Sequence, residues 1–331
     1  MSTNTDHLNL KGFFSVFDAN VNNDLQDNII EFFDWSLLNK GNYYNVTLAE
    51  SGVNEGRDLS KLRISSHPHY PSGQAWEGFR KNWVWQSGVE PPSGMDGPLV
   101  GTNEATPGLS GIYVDGVFYA SDTAGTYAHD VDYFHGRVIF DTPISTGAVV
   151  QVPHSYKYIS VLYASNLPWV REIQYRTTEP NSFFVNQNRG DFNLPAEARV
   201  QLPAIAVEIV PRRTMAGYQL GGGQYINTDV IFHCIAEDSF TRNQLVDIVS
   251  LQNEKTIFMF GSEILADSGA FPLDYRGVPV SGALTYPKLV ENYKVRRLRF
   301  KDMVVQNMDA INSNLYGGIV RTTAEIIKTN I

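Results

Sequence analysis

Between Leu202 and Leu251 the chain runs strand, turn, strand and helix in immediate succession, and few folds accept that order. Leu202-Pro203-Ala204-Ile205-Ala206-Val207 opens an apolar strand predicted to reach Val210, and Gly221-Gly222-Gly223 supplies a turn. Tyr225 to Ala236 predicts the returning strand. A helix follows from Phe240 to about Asn253, burying Leu245, Ile248 and Val249, with Asp238 or Ser239 placed to cap it. A hairpin followed at once by an amphipathic helix must lay that helix on the sheet it has just left. Thr256 to Phe260 then predicts a short strand, and a loop rich in Gly and Pro spans Gly261 to Pro287. Two long strands, Tyr293 to Met308 and Leu315 to Lys328, close the chain around a polar turn at Asn312 to Asn314. The predicted class is α+β and β-rich.

Upstream, Leu25, Ile29, Phe32, Phe33 and Leu37 recur at helical spacing, which predicts a helix from about Asp24 to Lys40. Asn23 or Asp24 is placed to cap it and Gly41 to stop it. From Tyr43 to Ser110 prolines and glycines interrupt every pattern, so ordered loops with short strands are expected, held by Trp76, Phe79, Trp83 and Trp85. Strand patterns then come at short intervals: Ile112 to Tyr119, Tyr127 to Tyr133, Arg137 to Asp141, Val149 to Pro153 and Tyr156 to Tyr163. They predict a small antiparallel β-sandwich or barrel-like unit. A further strand is expected at Ser182 to Asn186, before a polar loop from Asn188 to Asn193. The expected division is residues 1–42 as a helix packing on the C-terminal core, 43–198 as an inserted loop-rich and β-sandwich domain, and 199–331 as the α+β core.

Composition narrows the function. Of 331 residues 43% are hydrophobic and 18% charged, which describes a folded chain. The excess of 35 acidic over 26 basic residues opposes general attraction to a phosphate backbone. A single cysteine, Cys234, rules out an internal disulfide framework and a multi-cysteine zinc site, and its apolar neighbours predict a buried thiol. Met1 to Leu10 lacks the pattern of a secretory signal, no apolar run is long enough to span a membrane, and Asn45-Val46-Thr47 carries little weight as a sequon alone.

Four clusters invite chemistry. His129, Asp130, Asp132 and His135 are the densest set of metal-ligand types, but on a strand they point to both faces and fit a water-facing hairpin better. His67-Pro68-His69 lacks an acidic or thiol partner nearby. Gly221-Gly222-Gly223 lacks the Lys-Ser/Thr ending and the helix of a phosphate loop, and reads as a hairpin tip where two backbones can approach. Lys294, Arg296, Arg297, Arg299 and Lys301 form the one strongly basic run, suited to acidic groups of another subunit more than to DNA. No hydrolase, zincin or nucleotide fingerprint occurs, and no catalytic residue, metal site or cofactor is assigned.

The early helix, the strand Leu202-Pro203-Ala204-Ile205-Ala206-Val207, the Gly-rich hairpin, Val230-Ile231-Phe232-His233-Cys234-Ile235-Ala236 and the following helix together resemble the tail terminator, or tail completion and neck, proteins of tailed bacteriophages. The likeness covers about half the chain and is one of element order with short sequence echoes. In that family the helix leads almost directly into the first strand, whereas here Tyr43 to Arg199 intervenes. The resemblance implies a virion structural protein, assembled in the host cytoplasm, that forms a homo-oligomeric and usually hexameric ring. Such a ring completes the tail tube and joins it to the head connector. Partners would be other copies of itself and the tail tube, sheath and connector proteins, with DNA passing through the lumen without specific binding and no membrane. The expected contact residues are Gly221, Gly222, Gly223, Phe271, Leu273, Tyr275, Arg296, Arg297 and Arg299. Alternatives are a collar, sheath-associated or baseplate protein, and a carbohydrate-binding or carbohydrate-cleaving protein using the Trp76 to Trp85 cluster with Glu77 and Glu90.

Overall fold

Helix α1 spans Val21–Leu38 and buries Leu25, Ile29, Phe33 and Leu37, the stripe that four-residue spacing predicts. In this computed structural model the described residues are 21–48, 51–54, 57–101, 105–164, 200–219, 222–274, 277–280, 282, 284–312 and 315–328. The strand expected at Ser182 to Asn186, the loop Asn188 to Asn193, Gly221 and Tyr275 lie outside them. Asn23 and Asp24 do not cap the helix, because the described helix already begins at Val21 and Asp24 is buried within it. The stop signal behaves as expected: Gly41 takes φ +86°, and the N–H groups of Gly41 and Asn42 return to Leu38 and Leu37.

Eleven short strands follow: β1 (Tyr43–Val46), β2 (Ser51–Asn54), β3 (Arg57–Asp58), β4 (Arg63–Ile64), β5 (Ala75–Glu77), β6 (Gly111–Val114), β7 (Val117–Ala120), β8 (His129–Asp132), β9 (Arg137–Phe140), β10 (Val150–Gln151) and β11 (His154–Lys157). They form a four-stranded sheet, β4-β5-β9-β8, a three-stranded sheet, β10-β6-β7, and the pairs β1-β11 and β2-β3. Trp76, Phe79, Trp83, Trp85, Val138, Phe140 and Tyr156 share one core among these strands. Trp83 is only 1% exposed, and the aromatic cluster packs as the core of this module. Glu77 is buried beside it and accepts a hydrogen bond from Ser65.

Two expected strands divide. Ile112 to Tyr119 is a hairpin, because Asp115 and Gly116 both adopt positive φ, at 49° and 81°, and make a two-residue turn of the mirror-image type. Tyr156 to Tyr163 breaks after Lys157, where the Asn42 side chain takes hold of Ile159. Its Oδ1 accepts from the Ile159 N–H at 2.7 Å and its Nδ2 donates to the Ile159 carbonyl at 2.9 Å.

The second half of that stretch, β12 (Ser160–Tyr163), therefore joins a different sheet. The remaining elements are β13 (Ala204–Gln219), β14 (Gly222–Ala236), α2 (Ser239–Ser250), β15 (Thr256–Phe260), α3 (Ser262–Ser268), α4 (Tyr286–Tyr293), β16 (Lys294–Asn312) and β17 (Leu315–Lys328). The sheet runs β12-β13-β14-β17-β16-β15; β12 lies parallel to β13 and every other neighbour is antiparallel. Helix α3 falls within the span expected to be loop. Asp238 caps α2 by accepting the Thr241 N–H at 2.7 Å. Both α1 and α2 lie on one face of the sheet, over Val207, Phe232, Cys234, Leu298, Phe300, Val320 and Ile326. Gly318 lets α2 approach β17 closely, since a Cβ there would stand 2.5 Å from Val246 Cγ2. Cys234 lies in this core, and burial pushes its thiol up to about 12. The architecture is mixed α+β, with strands prevailing and several sheets.

Candidate functional site

Among the described residues the six-stranded sheet has two arms with no strand beside them on one side. Strand β12 covers only Ala204–Val207 of β13, and β15 pairs with β16 only from Lys294 to Arg299. A few further bonds carry β16 to Met303, whose N–H donates to Asn253 Oδ1 at 3.1 Å. Among the described residues no strand borders Glu208–Gln219 of β13 or Val304–Asn312 of β16 on the outer side. The exposed side chains of these arms mix apolar and charged groups: Met215 and Val304 are each 54% exposed, Val305, Met308 and Ile311 are exposed as well, and Arg212, Asp302 and Asp309 stand among them. An open row of backbone donors and acceptors templates further pairing, and these arms carry some of the usual guards against it, Pro211 and Arg212 on β13, Asp309 on β16 and register shifts in both.

The expected contact residues do not form one surface. Gly222 and Gly223 begin β14 at the tip of the β13-β14 hairpin, where Gly222 faces Gln219. Phe271 is 45% exposed, but Leu273 turns inward and packs on the aromatic core of the short-stranded module. Arg296 is a correction: it is buried, and its guanidinium meets Asp24 of α1 at 2.9 Å, so it braces the fold from within. Arg297 and Lys294 lie over the Phe258 ring at 5.1 and 4.7 Å. Arg299 pairs with Glu254, Lys301 with Glu325 and Arg321 with Asp229 on the face of the sheet away from the helices. The basic run thus finds its partners largely within its own chain.

No protein-family model and no curated sequence matches the chain.

The clusters of ligand-type residues resolve into structural roles. Asp132 is buried, not water-facing, and accepts from His135 Nδ1 at 2.7 Å and Arg137 at 2.9 Å. Burial works against its charge, yet the bonds and charges of His135 and Arg137 outweigh that and hold the carboxyl below its ordinary range. His67 and His69 meet edge to face at 4.7 Å. Among the described residues no three His, Cys, Asp or Glu side chains converge as a metal site, and no helix is long and apolar enough to cross a membrane.

A cavity of about 340 Å³ lies between α1, β11 and β12, lined in part by Glu31, Asp34, Trp85, Lys157, Tyr163 and Gln201. It belongs to an acidic ladder on α1 that sequence reasoning missed, although the spacing of Asp24, Asp27, Glu31 and Asp34 carries the signal. Asp27 accepts from Tyr163 and Ser262, and Asp34 from Lys157 at 2.6 Å and Gln86 at 2.9 Å. Glu31 is set apart: burial and then the neighbouring Asp34 push it up to about 7. The ladder fastens α1 to five other segments, β16, β12, the start of α3, β11 and the loop at Gln86.

Proposed function

We propose that this chain is a self-assembling structural protein of a tailed-phage virion, a neck or tail-terminator ring that completes the tail tube and joins it to the head connector. The two long arms, whose outer edges meet no strand among the described residues and which expose Met215, Val304, Val305, Met308 and Ile311, carry the reading, because such an edge offers backbone groups and apolar surface to another chain. The order of helix, hairpin, helix and closing strands supports the terminator-like core, with the module of short strands as its inserted β-sandwich. Function is then binding without turnover: each subunit offers complementary edges, and ring symmetry matches that of the tube. The ring is a homo-oligomer of about six copies by resemblance, resident in the virion, needing no cofactor.

The test is direct. Purified protein is imaged by negative stain alone and after mixing with terminator-deficient tail tubes. Rings that seat on one end of the tubes are expected. A protein that stays monomeric and leaves tube ends bare would sink the proposal.

A further inference from the structure

We infer that Lys157 and Asp34 close an isopeptide bond, which ties the last residue of β11 to helix α1. Lys157 Nζ lies 2.6 Å from Asp34 Oδ2, and the two side chains are 13% and 9% exposed. A contact that short brings the nitrogen close to the near-attack distance of about 3–3.5 Å from the carboxyl carbon. Both reactants ride on fixed backbone. Asp34 follows buried Phe33 within α1, while the Lys157 N–H donates to the Asn82 carbonyl at 2.8 Å and the residue pairs with Tyr43 of β1. Gln86 Nε2 donates to the same Oδ2 at 2.9 Å, which polarises the carboxyl group toward attack.

The surroundings favour the neutral forms that must react. Ile30, Trp83, Trp85, Phe134 and Leu162 line the cavity where the pair sits. Away from water an ammonium passes a proton to the carboxylate beside it more readily, leaving an amine and a carboxylic acid. A third carboxyl completes the set. Glu31 stands one turn before Asp34, lines the same cavity and feels the charges of both Asp34 and Lys157. Raised to about 7, it can give and take a proton near neutral pH. Other lysine contacts lack this setting: Lys288 and Glu291 are 49% and 64% exposed, and Lys301 lies 3.4 Å from Glu325 with the lysine 37% exposed.

The step is a condensation with no change of oxidation state. The Lys157 ammonium first hands one proton to Asp34. Glu31 then gives its proton to the Asp34 carbonyl oxygen as Nζ adds to Cγ and the C–N bond forms, and it takes a proton back from the nitrogen. Next it protonates one hydroxyl of the tetrahedral centre, the C–O bond breaks and water departs. The remaining hydroxyl returns a proton to Glu31, so an amide and one water result and Glu31 ends as it began. The new bond joins positions 123 apart in sequence. It locks the helix that fastens the large sheet to the module of short strands, whether or not the chain builds a ring.

Intact mass spectrometry tests this on the full chain, matured at neutral pH and then unfolded in acid. The wild type should fall short of its sequence mass by about 18 Da, one water, and a protease digest should release one branched peptide carrying both Asp34 and Lys157. Lys157→Arg keeps a cation beside Asp34, but its guanidinium stays protonated and is no nucleophile. That variant should keep its full sequence mass, with far-UV circular dichroism confirming the fold. Glu31→Gln preserves shape and removes the relay, so water loss should slow by at least about tenfold. Stability comparisons between it and the wild type use protein matured to the same mass. A wild type at full mass would overturn the bond. So would a deficit that persists in Lys157→Arg, which would place the dehydration elsewhere, as a cyclic imide at Asp96-Gly97 or Asp115-Gly116. Closure of Glu31→Gln at the wild-type rate would overturn the relay.

Discussion

Arg296 separates an internal strut from a contact residue, and its replacement by methionine measures which it is. Its guanidinium lies 2.9 Å from Asp24 Oδ2, with the two side chains 6% and 5% exposed. The other carboxylate oxygen accepts the Ser262 N–H at 3.0 Å. Arg296→Met keeps much of the aliphatic stem and removes the cation, leaving a buried carboxylate with one neutral donor. Breaking a buried pair in this way costs about 3–5 kcal/mol. For a chain of this length the entropy of a single cooperative transition is roughly 0.7 kcal/mol/K, so the melting temperature should fall by about 4–7 °C. Adding Asp24→Asn removes the stranded charge while retaining an acceptor for Ser262, and most of the loss should return. The four proteins form a double-mutant cycle read by calorimetry on dilute, unassembled samples. Should Arg296→Met melt with the wild type yet abolish assembly, the residue faces a partner and the internal assignment is wrong.

Glu31→Gln probes the ladder by pH. Because Glu31 is raised from 4.5 to about 7, the native state holds a proton that the unfolded chain releases, so stability falls as pH rises through that window. The variant should match wild type near pH 5 and exceed it at pH 8 by on the order of 2–3 kcal/mol in urea titrations, and parallel pH profiles would refute the assignment. Asn28 accepts from the Phe260 N–H and donates to its carbonyl, both at 2.9 Å, so Asn28→Leu strands two buried backbone groups. A loss of about 2–4 kcal/mol is expected by denaturant unfolding, and a change under 1 kcal/mol would show that water replaces the amide. Gly318→Val forces α2 away from β17 and should cost about 1–3 kcal/mol, seen as a lower urea midpoint at unchanged slope, whereas an unchanged midpoint would mean the helix shifts freely.

Elements whose signals are local were legible in the sequence. Periodicity and Gly41 located α1, Asp238 located α2, and alternation located β14, β15 and the closing hairpin, whereas β13 runs on to Gln219, nine residues past its expected end at Val210. Signals that act through space were not. Asp115-Gly116 sits inside an apolar run that reads as one strand until its positive φ values are known. The break after Lys157 depends on Asn42, remote in sequence, and Arg296 looked like surface charge because its partner Asp24 looked like a cap. The last two misses involve a polar side chain whose partner lies far along the chain, a pairing that composition and spacing do not encode, whereas Asp115-Gly116 is a local turn signal embedded in an apolar run.

Those long-range polar contacts also divide the work of the molecule. Helix α1 reaches β16 through Asp24, the end of β15 through Asn28, β12 through Asp27, and β11 through Asp34, while Asn42 just beyond it grips Ile159. One helix therefore fastens both edges of the large sheet and the short-stranded module, and force applied to either is shared by both. The distal arms take no part in these fastenings. Their outer edges can pair with another chain without disturbing the contacts that hold the fold, so changes on α1 should lower stability at constant interface chemistry. Under the proposed self-assembly, changes on the arms should alter assembly at constant melting temperature, because the groups by which α1 fastens the fold lie on other residues.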